Sequence, residues 1–178
     1  RVMTFDMGGT SSDCAICIDG DVNLTTDFEV EWGLPVQIPM IDVRTIGAGG
    51  GSIAWVDNGG MLQVGPRSAG SRPGPACYGR GGTNATVTDA NVILSRINHK
   101  NFLGGKLTLD LEAARSAINR IGDKLGMGIE QTAKAIIDIA NNNVASELRR
   151  MAVENGHDPR NFSLMGFGGA GPVHVADL

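Results

Sequence analysis

The chain reads as an α/β domain, a mixed sheet with helices packed on it. Three observations predict this class. From Val2 to Val64, short runs of period two alternate with glycine-rich turns. From Asp89 to Asn155, apolar residues recur at helical spacing. Phe162–Met165 then returns to a strand that feeds a second glycine loop.

Each element follows from its punctuation. Val2–Phe5 and Cys14–Ile18 read as strands around a glycine turn, and Asp19-Gly20-Asp21 supplies the next turn. Val22–Phe28 continues the meander, while Glu29–Gln37 is less regular and Pro35 and Pro39 bracket an extended stretch. Ile41–Ile46 is a strand running into Gly47–Gly51. Ser52–Val56 and Met61–Val64 form a hairpin about Asp57-Asn-Gly-Gly60. Residues 65–82 hold many Gly and Pro and almost no apolar period, so they read as one long loop, a length that points to function. A short helix begins at Thr88–Ser95, with Thr88 or Asp89 as its cap. Asp110–Leu125 carries the stripe Leu111, Ala114, Ala117, Ile118 and Ile121 and ends at Gly126. Ile129–Asn155 is the longest helix, with Ala133, Ile136, Ile137, Ala140, Val144, Leu148 and Met151 on one face and Gly156 as its stop. A last helix starts near Pro172.

The run Asp6-Met-Gly-Gly-Thr-Ser-Ser-Asp13 carries the most chemistry. A strand ending in Asp, paired glycines, hydroxyl residues and a second Asp suit a nucleotide tail. Glycines let backbone approach a phosphate, and free amides and hydroxyls donate to its oxygens. Asp6 is a hard oxygen group of the kind that holds Mg²⁺ directly or through water. The plainer alternative is a hairpin whose Gly-Gly only turns the chain. Phe167-Gly-Gly-Ala-Gly-Pro172, between a strand and a helix, is a second close-approach loop suited to a nucleotide or another anion. Its alternative is a turn that uses glycine only for packing.

Val2–Asp13 resembles the phosphate-binding hairpin of the actin, hexokinase and heat-shock ATPase superfamily. Thr45–Asp57, Gly65–Gly70, Pro73–Gly79, Thr86–Asn91 and Phe167–Pro172 all resemble the hydantoinase A family, and the similarity runs from near residue 2 to the end of the chain. Members include ATP-dependent N-methylhydantoinases, 5-oxoprolinases and subunits of acetone and acetophenone carboxylases. The resemblance implies one ribonuclease H-like lobe of the actin-type ATPase fold, with ATP and Mg²⁺. It makes Gly8, Gly9, Thr10 and Ser11 the second phosphate loop, and Gly168, Gly169 and Gly171 the nucleoside loop. Asp6 and Asp13 become the catalytic and Mg²⁺/water groups. The implied reaction is ring opening of a cyclic amide, a hydantoin or 5-oxoproline type, after its carbonyl oxygen is phosphorylated. The alternatives are a ketone carboxylase subunit, a sugar-type or acyl kinase, or a non-catalytic nucleotide-binding module. A B-type partner subunit in a hetero-oligomer is implied too, and a first phosphate loop upstream of residue 1.

Composition sets the outer limits. At 178 residues and 42% hydrophobic, the chain suits a single domain spanning 1–178. A net charge of −4 gives no basic footprint for nucleic acid or an anionic membrane. No stretch approaches the roughly 20 apolar residues of a membrane helix, and no leader is visible. The chain lacks an initiator Met and stops as a helix gets under way, so it reads as part of a longer protein. Three cysteines, Cys14, Cys17 and Cys77, fit reduced cytoplasmic thiols. Cys14 and Cys17 sit on one strand three residues apart, hence on opposite faces, and read as packed thiols.

The remaining candidates keep two readings each. Gly47–Ser52 is either a further cradle or a bulge for close packing; no Lys follows as a Walker motif requires. Cys77 is a metal ligand or active thiol with Asp42, Asp89 or His174, or it is structural. In some relatives His stands at the position of Arg44, which would remove a ligand here. His174 is a base or donor with a lowered pKa at a helix N-terminus, or it caps and packs. His99 and His157 read as exposed loop residues. Arg67, Arg72 and Arg80 meet a carboxylate or phosphates, or simply solvate the long loop.

Overall fold

The computed structural model describes residues 1–26, 29–31, 34–35 and 38–178. β1 (Val2–Met7), β2 (Ser12–Ile18) and β3 (Asp21–Val22) come first. Short pieces follow: β4 (Leu24–Thr25), β5 (Glu29–Glu31), β6 (Leu34–Pro35), β7 (Met40–Ile41) and β8 (Arg44–Ile46). β9 (Ser52–Val56) and β10 (Leu62–Ser68) make a hairpin, and α1 (Val87–Ile93), α2 (Leu111–Leu125) and α3 (Ile129–Glu154) come next. β11 (Ser163–Phe167) leads into the four-residue helix α4 (Gly171–His174). Among the described residues, no helix is long and apolar enough to cross a membrane.

β1 is the organising strand. It pairs antiparallel with β2 and parallel with β11, and β3 and β8 share the far edge of β2, so the sheet is mixed. Strand alternation decides which side chains face the core. Met3, Phe5 and Met7 are buried opposite Ile16, Cys14 and Ser12, while Asp6 and Asp13 fall opposite each other on the other face. Cys14 and Cys17 accordingly part, one in the core and one half-buried, and all three cysteines are free thiols.

The helices supply the other layer. The whole apolar stripe of α3 foreseen above is buried, from Ala133 to Met151. Full burial of Ile136 and Ile137 contributes about 1.5–3 kcal/mol each. Asp110 caps α2 by accepting from Ala113 N at 2.9 Å, and Gly126 ends it in a left-handed conformation.

Three sequence expectations shift. α1 starts at Val87, one residue earlier than expected, because its cap is Thr86 and not Thr88 or Asp89. Thr86 Oγ1 accepts from Asp89 N while the Asp89 carboxylate accepts from Thr86 N, a reciprocal capping box. β10 runs through Gly65 and Pro66 to Ser68, with a register shift after Val64, so the loop begins only at Ala69. The strand expected over Ile41–Ile46 is broken at Asp42, whose N–H donates to Asn23 O; β7 pairs with β4 and β8 with β2. The meander expected to Phe28 ends at β4, and its last two positions, with parts of Glu29–Gln37, lie outside the described residues.

Candidate functional site

The hairpin tip Gly8–Ser11 projects from the end of the β1–β2 pair. Gly8 N donates to Ser11 O at 3.0 Å and closes the turn. The amides of Gly9, Thr10 and Ser11 donate to no described residue, and the Thr10 and Ser11 hydroxyls have no hydrogen-bond partner among them. A Cβ at Gly9 would meet nothing within 4 Å. The tip therefore offers open donors to an anion.

Gly47–Ser52 holds this tip from behind. Gly50 N donates to Gly8 O at 3.0 Å and Gly51 N to Gly9 O at 2.6 Å. A Cβ on Gly49 would come within 2.6 Å of the Thr10 carbonyl carbon, so only glycine allows the two backbones to stack. The Ser12 hydroxyl donates to Ala48 O in the same layer. Gly49, Gly50 and Gly51 are buried, which decides between the two readings of this segment: it is a packing platform under the phosphate-type loop.

The second glycine loop reaches the same place. Ala170 N donates to Met7 O at 2.9 Å, and the Ala170 Cβ lies within 3.9 Å of where a Cβ on Gly50 would stand. Gly168 has φ +81°, and a Cβ there would overlap Asp6 Oδ1 at 2.1 Å. Gly169 is open on its outer side, as Gly9 is, while Gly171 is buried against Phe5 O. So both sequence-predicted loops converge at the end of β1, from opposite ends of the chain.

Asp6 and Asp13 are direct cross-strand neighbours beneath the tip. Thr45 Oγ1 donates to Asp13 Oδ1 at 2.7 Å. Two like charges opposite each other on a strand pair are unfavourable alone and invite a cation. Among the described residues no group of three or more His, Cys, Asp or Glu is placed to hold a metal ion. The pair thus fits Mg²⁺ in its usual form, one or two carboxylates completed by water and phosphate oxygens.

The other candidates are structural anchors in their contacts. Cys77 is fully buried with Val92, Leu109 and Ala114, and burial followed by the Asp89 charge pushes its thiol pKa far up. Asp42 and His174, its other suggested partners, form no group of three or more potential metal ligands with it among the described residues. Asp89 is fully buried and accepts from Ala76 N, Cys77 N, Thr86 N and Thr86 Oγ1 at 2.7–3.2 Å. It thereby staples the Pro73–Gly79 segment to the start of α1.

His174 is 1% exposed and holds two helices to α4. Asn141 Nδ2 donates to Asp177 Oδ2 at 3.3 Å, which turns Asn141 Oδ1 toward His174 Nδ1 at 2.7 Å. Nδ1 therefore carries the proton, and Nε2 accepts from Asn91 Nδ2 at 3.0 Å. Burial first, then Arg96, lowers the His174 pKa to about 4, so the ring is neutral. The expected direction holds, but desolvation is the cause. With both nitrogens engaged, its role is packing and orientation.

Arg44 pairs with Glu154, Arg80 stacks on Tyr78, and Arg67 stacks on Trp55. Arg67 lines a separate groove of about 540 Å³ with Trp55, Arg120 and Lys124. His99 and His157 are half-buried rather than exposed, His157 against Phe162. Sequence reasoning missed Thr88 and Asn91 as partners of the site; their place within Thr86–Asn91 was the available signal.

A sequence model described as hydantoinase/oxoprolinase matches residues 1–178. The chain belongs to the hydantoinase/oxoprolinase family. It is 48% identical over 179 residues to the caprolactamase subunit alpha of Pseudomonas jessenii, covering 100% of this chain and 26% of that protein. The crystal structure of the ATP-dependent caprolactamase from Pseudomonas jessenii superposes with a TM-score of 0.87 at 48% identity, covering 99% of this chain and 26% of that one. A nucleotide-free acetone carboxylase, from work on ATP-dependent acetone carboxylation, superposes at 0.86 with 33% identity, covering 97% and 24%. The fold is accordingly the mixed α/β lobe of actin-like ATPase type. Within the hydantoinase/oxoprolinase family this chain spans about a quarter of the length of those relatives.

Proposed function

We propose that the full-length protein opens a cyclic amide of hydantoin or 5-oxoproline type at the expense of ATP. The observation that carries this reading is the tip Gly8–Ser11, with open amides and hydroxyls, standing over the carboxylates of Asp6 and Asp13. In that reaction the amide oxygen attacks the γ-phosphorus and ADP leaves. Water then adds to the activated carbon and gives a proton to the ring nitrogen as the C–N bond breaks, which leaves an acyl phosphate, and a second water hydrolyses that to carboxylate and phosphate. Gly9, Thr10 and Ser11 donate to the oxygens that gather charge as the phosphoryl group moves. Asp6 and Asp13 orient water beneath the tip and hold Mg²⁺, which supplies charge neutralisation on the phosphates. Gly168 and Gly169 admit the nucleoside against backbone, and Gly171, buried against Phe5 O, packs the loop behind them. The rest of the nucleotide site comes from sequence outside these residues, and a B-type subunit is the partner.

The identity to a caprolactamase subunit supports cyclic-amide hydrolysis ahead of ketone carboxylation. The test is ADP release by the full-length protein with its partner subunit. Hydantoin, 5-oxoproline and acetone plus bicarbonate are supplied separately. Turnover with a cyclic amide is expected, and turnover with the ketone alone would replace this reading by the carboxylase one. ATP binding without turnover on any of them would leave a nucleotide-binding module.

A further inference from the structure

Two residues of α1 that no part of the reaction uses reach both loops of the site. Thr88 and Asn91 lie three residues apart, on one face of the helix. Thr88 N and Thr88 Oγ1 both donate to Gly50 O, each at 2.8 Å, and Gly50 N in turn donates to Gly8 O at 3.0 Å. Asn91 Nδ2 donates to Nε2 of His174, and His174 stands on the helix that the Gly168–Gly171 loop opens. Both residues are buried, at 7% and 2% exposure, so neither can touch a ligand.

The helix that carries them is itself fixed. Thr86 and Asp89 cap it reciprocally, and Asp89 binds the backbone of Ala76 and Cys77. One face of α1 is therefore the common support of the two glycine loops. Asn91 shows the directional character of this support. Once the Asn141–Asp177 bond sets the His174 tautomer, Asn91 must turn its Nδ2 to the ring. Its Oδ1 is then left buried with no donor. A buried acceptor without a partner is destabilising, so the amide is not here for stability alone.

We infer that Thr88 and Asn91 are positioning residues, Thr88 for the phosphate loop through Gly50 and Asn91 for the nucleoside loop through His174. The inference rests on the nucleotide reading above and adds a division of labour to it. Thr88 acts on the end of the nucleotide that carries β- and γ-phosphates. Asn91 acts on the end shared by every adenine nucleotide.

The experiment is calorimetry of AMP, ADP and ATP on the full-length protein with its partner subunit, for the unaltered chain, Thr88→Val, Thr88→Ser and Asn91→Leu. Thermal melting of each variant accompanies it. Thr88→Val keeps the backbone bond to Gly50 and is expected to weaken ATP about tenfold, with AMP within twofold. Thr88→Ser restores ATP affinity. Asn91→Leu is expected to weaken AMP, ADP and ATP by one common factor of about three to ten. In steady state, Thr88→Val raises KM for ATP and leaves kcat within twofold. If Thr88→Val melts out, faster hydrogen exchange in Thr88→Ala at Gly8, Gly50 and Gly51, whose amides bond the tip and its platform, takes its place as the readout, and unchanged exchange overturns the inference. An unaltered protein that binds no nucleotide defeats the ATP reading and this inference with it. An unaltered protein that binds ATP, with Thr88→Val weakening all three ligands alike or none, overturns the inference and leaves the ATP reading standing.

Discussion

Asp89 and His174 show how single residues of this chain divide between chemistry and support. Both carry functional groups common in catalysis, and both are spent on structural bonds: Asp89 on three backbone amides and the Thr86 hydroxyl, His174 on the side chains of two asparagines. The neutral ring of His174 has a consequence for stability. An unfolded imidazole titrates near pH 6.5, and burial brings the folded ring to about 4. Between those values the unfolded chain binds a proton that the folded chain does not, so stability rises with pH there. The full contribution is present above about pH 6.5 and is lost as pH falls toward 4. It amounts to roughly 3 kcal/mol in all, of which about 2 is gone by pH 5. Urea unfolding at pH 7 and pH 5 checks this: the unaltered protein is expected to lose that increment and His174→Gln is not. An equal slope in both proteins would contradict the assignment. Nothing in the run Pro172-Val-His174 shows that the ring is buried, because burial is set by helices whose residues lie 33 and 83 positions away.

At the scale of elements, the hairpin tip depends on a platform that is buried from Ala48 to Ser52. Gly49 lies flat against Thr10 and Ser11, with 2.6–2.8 Å between their backbone atoms and any added Cβ. Gly49→Ala must push the tip outward, since the opposing atoms are backbone and cannot rotate aside. The expected result is a loss of ATP affinity in the full-length protein by tenfold or more, with a melting temperature lowered by only a few degrees. Unchanged ATP affinity would separate the platform from the site. The strands and helices themselves were legible in the sequence where periodicity was strong, as in α2, α3 and the β1–β2 hairpin. Legibility failed at α1 and β10. The cap of α1 is a reciprocal pair, Thr86 with Asp89, beside a third residue of capping type, Thr88. β10 continues through Gly65 and Pro66 because its partner β9 and its packing on α3 outweigh local preference.

For the whole molecule, the chain spans about a quarter of its relatives and carries both glycine loops on one lobe. Calorimetry of ATP on these 178 residues is expected to give binding weaker than millimolar, with tight binding only in the longer chain. Micromolar binding here would mean that one lobe suffices. The amino-acid sequence by itself determined the family, the two glycine loops with Asp6 and Asp13, and the helical half of the fold. Each of these is local, written in residue types at short spacing. Only the tertiary structure decided that the loops meet at the end of β1. It also decided that Gly47–Ser52 packs beneath the tip, and that Thr88 and Asn91 tie both loops to one helix. Those facts depend on a parallel pairing between β1 and β11, strands some 160 residues apart, made possible by helices that cross between them. No short-range pattern encodes such a pairing, because its free energy comes from burying one continuous core.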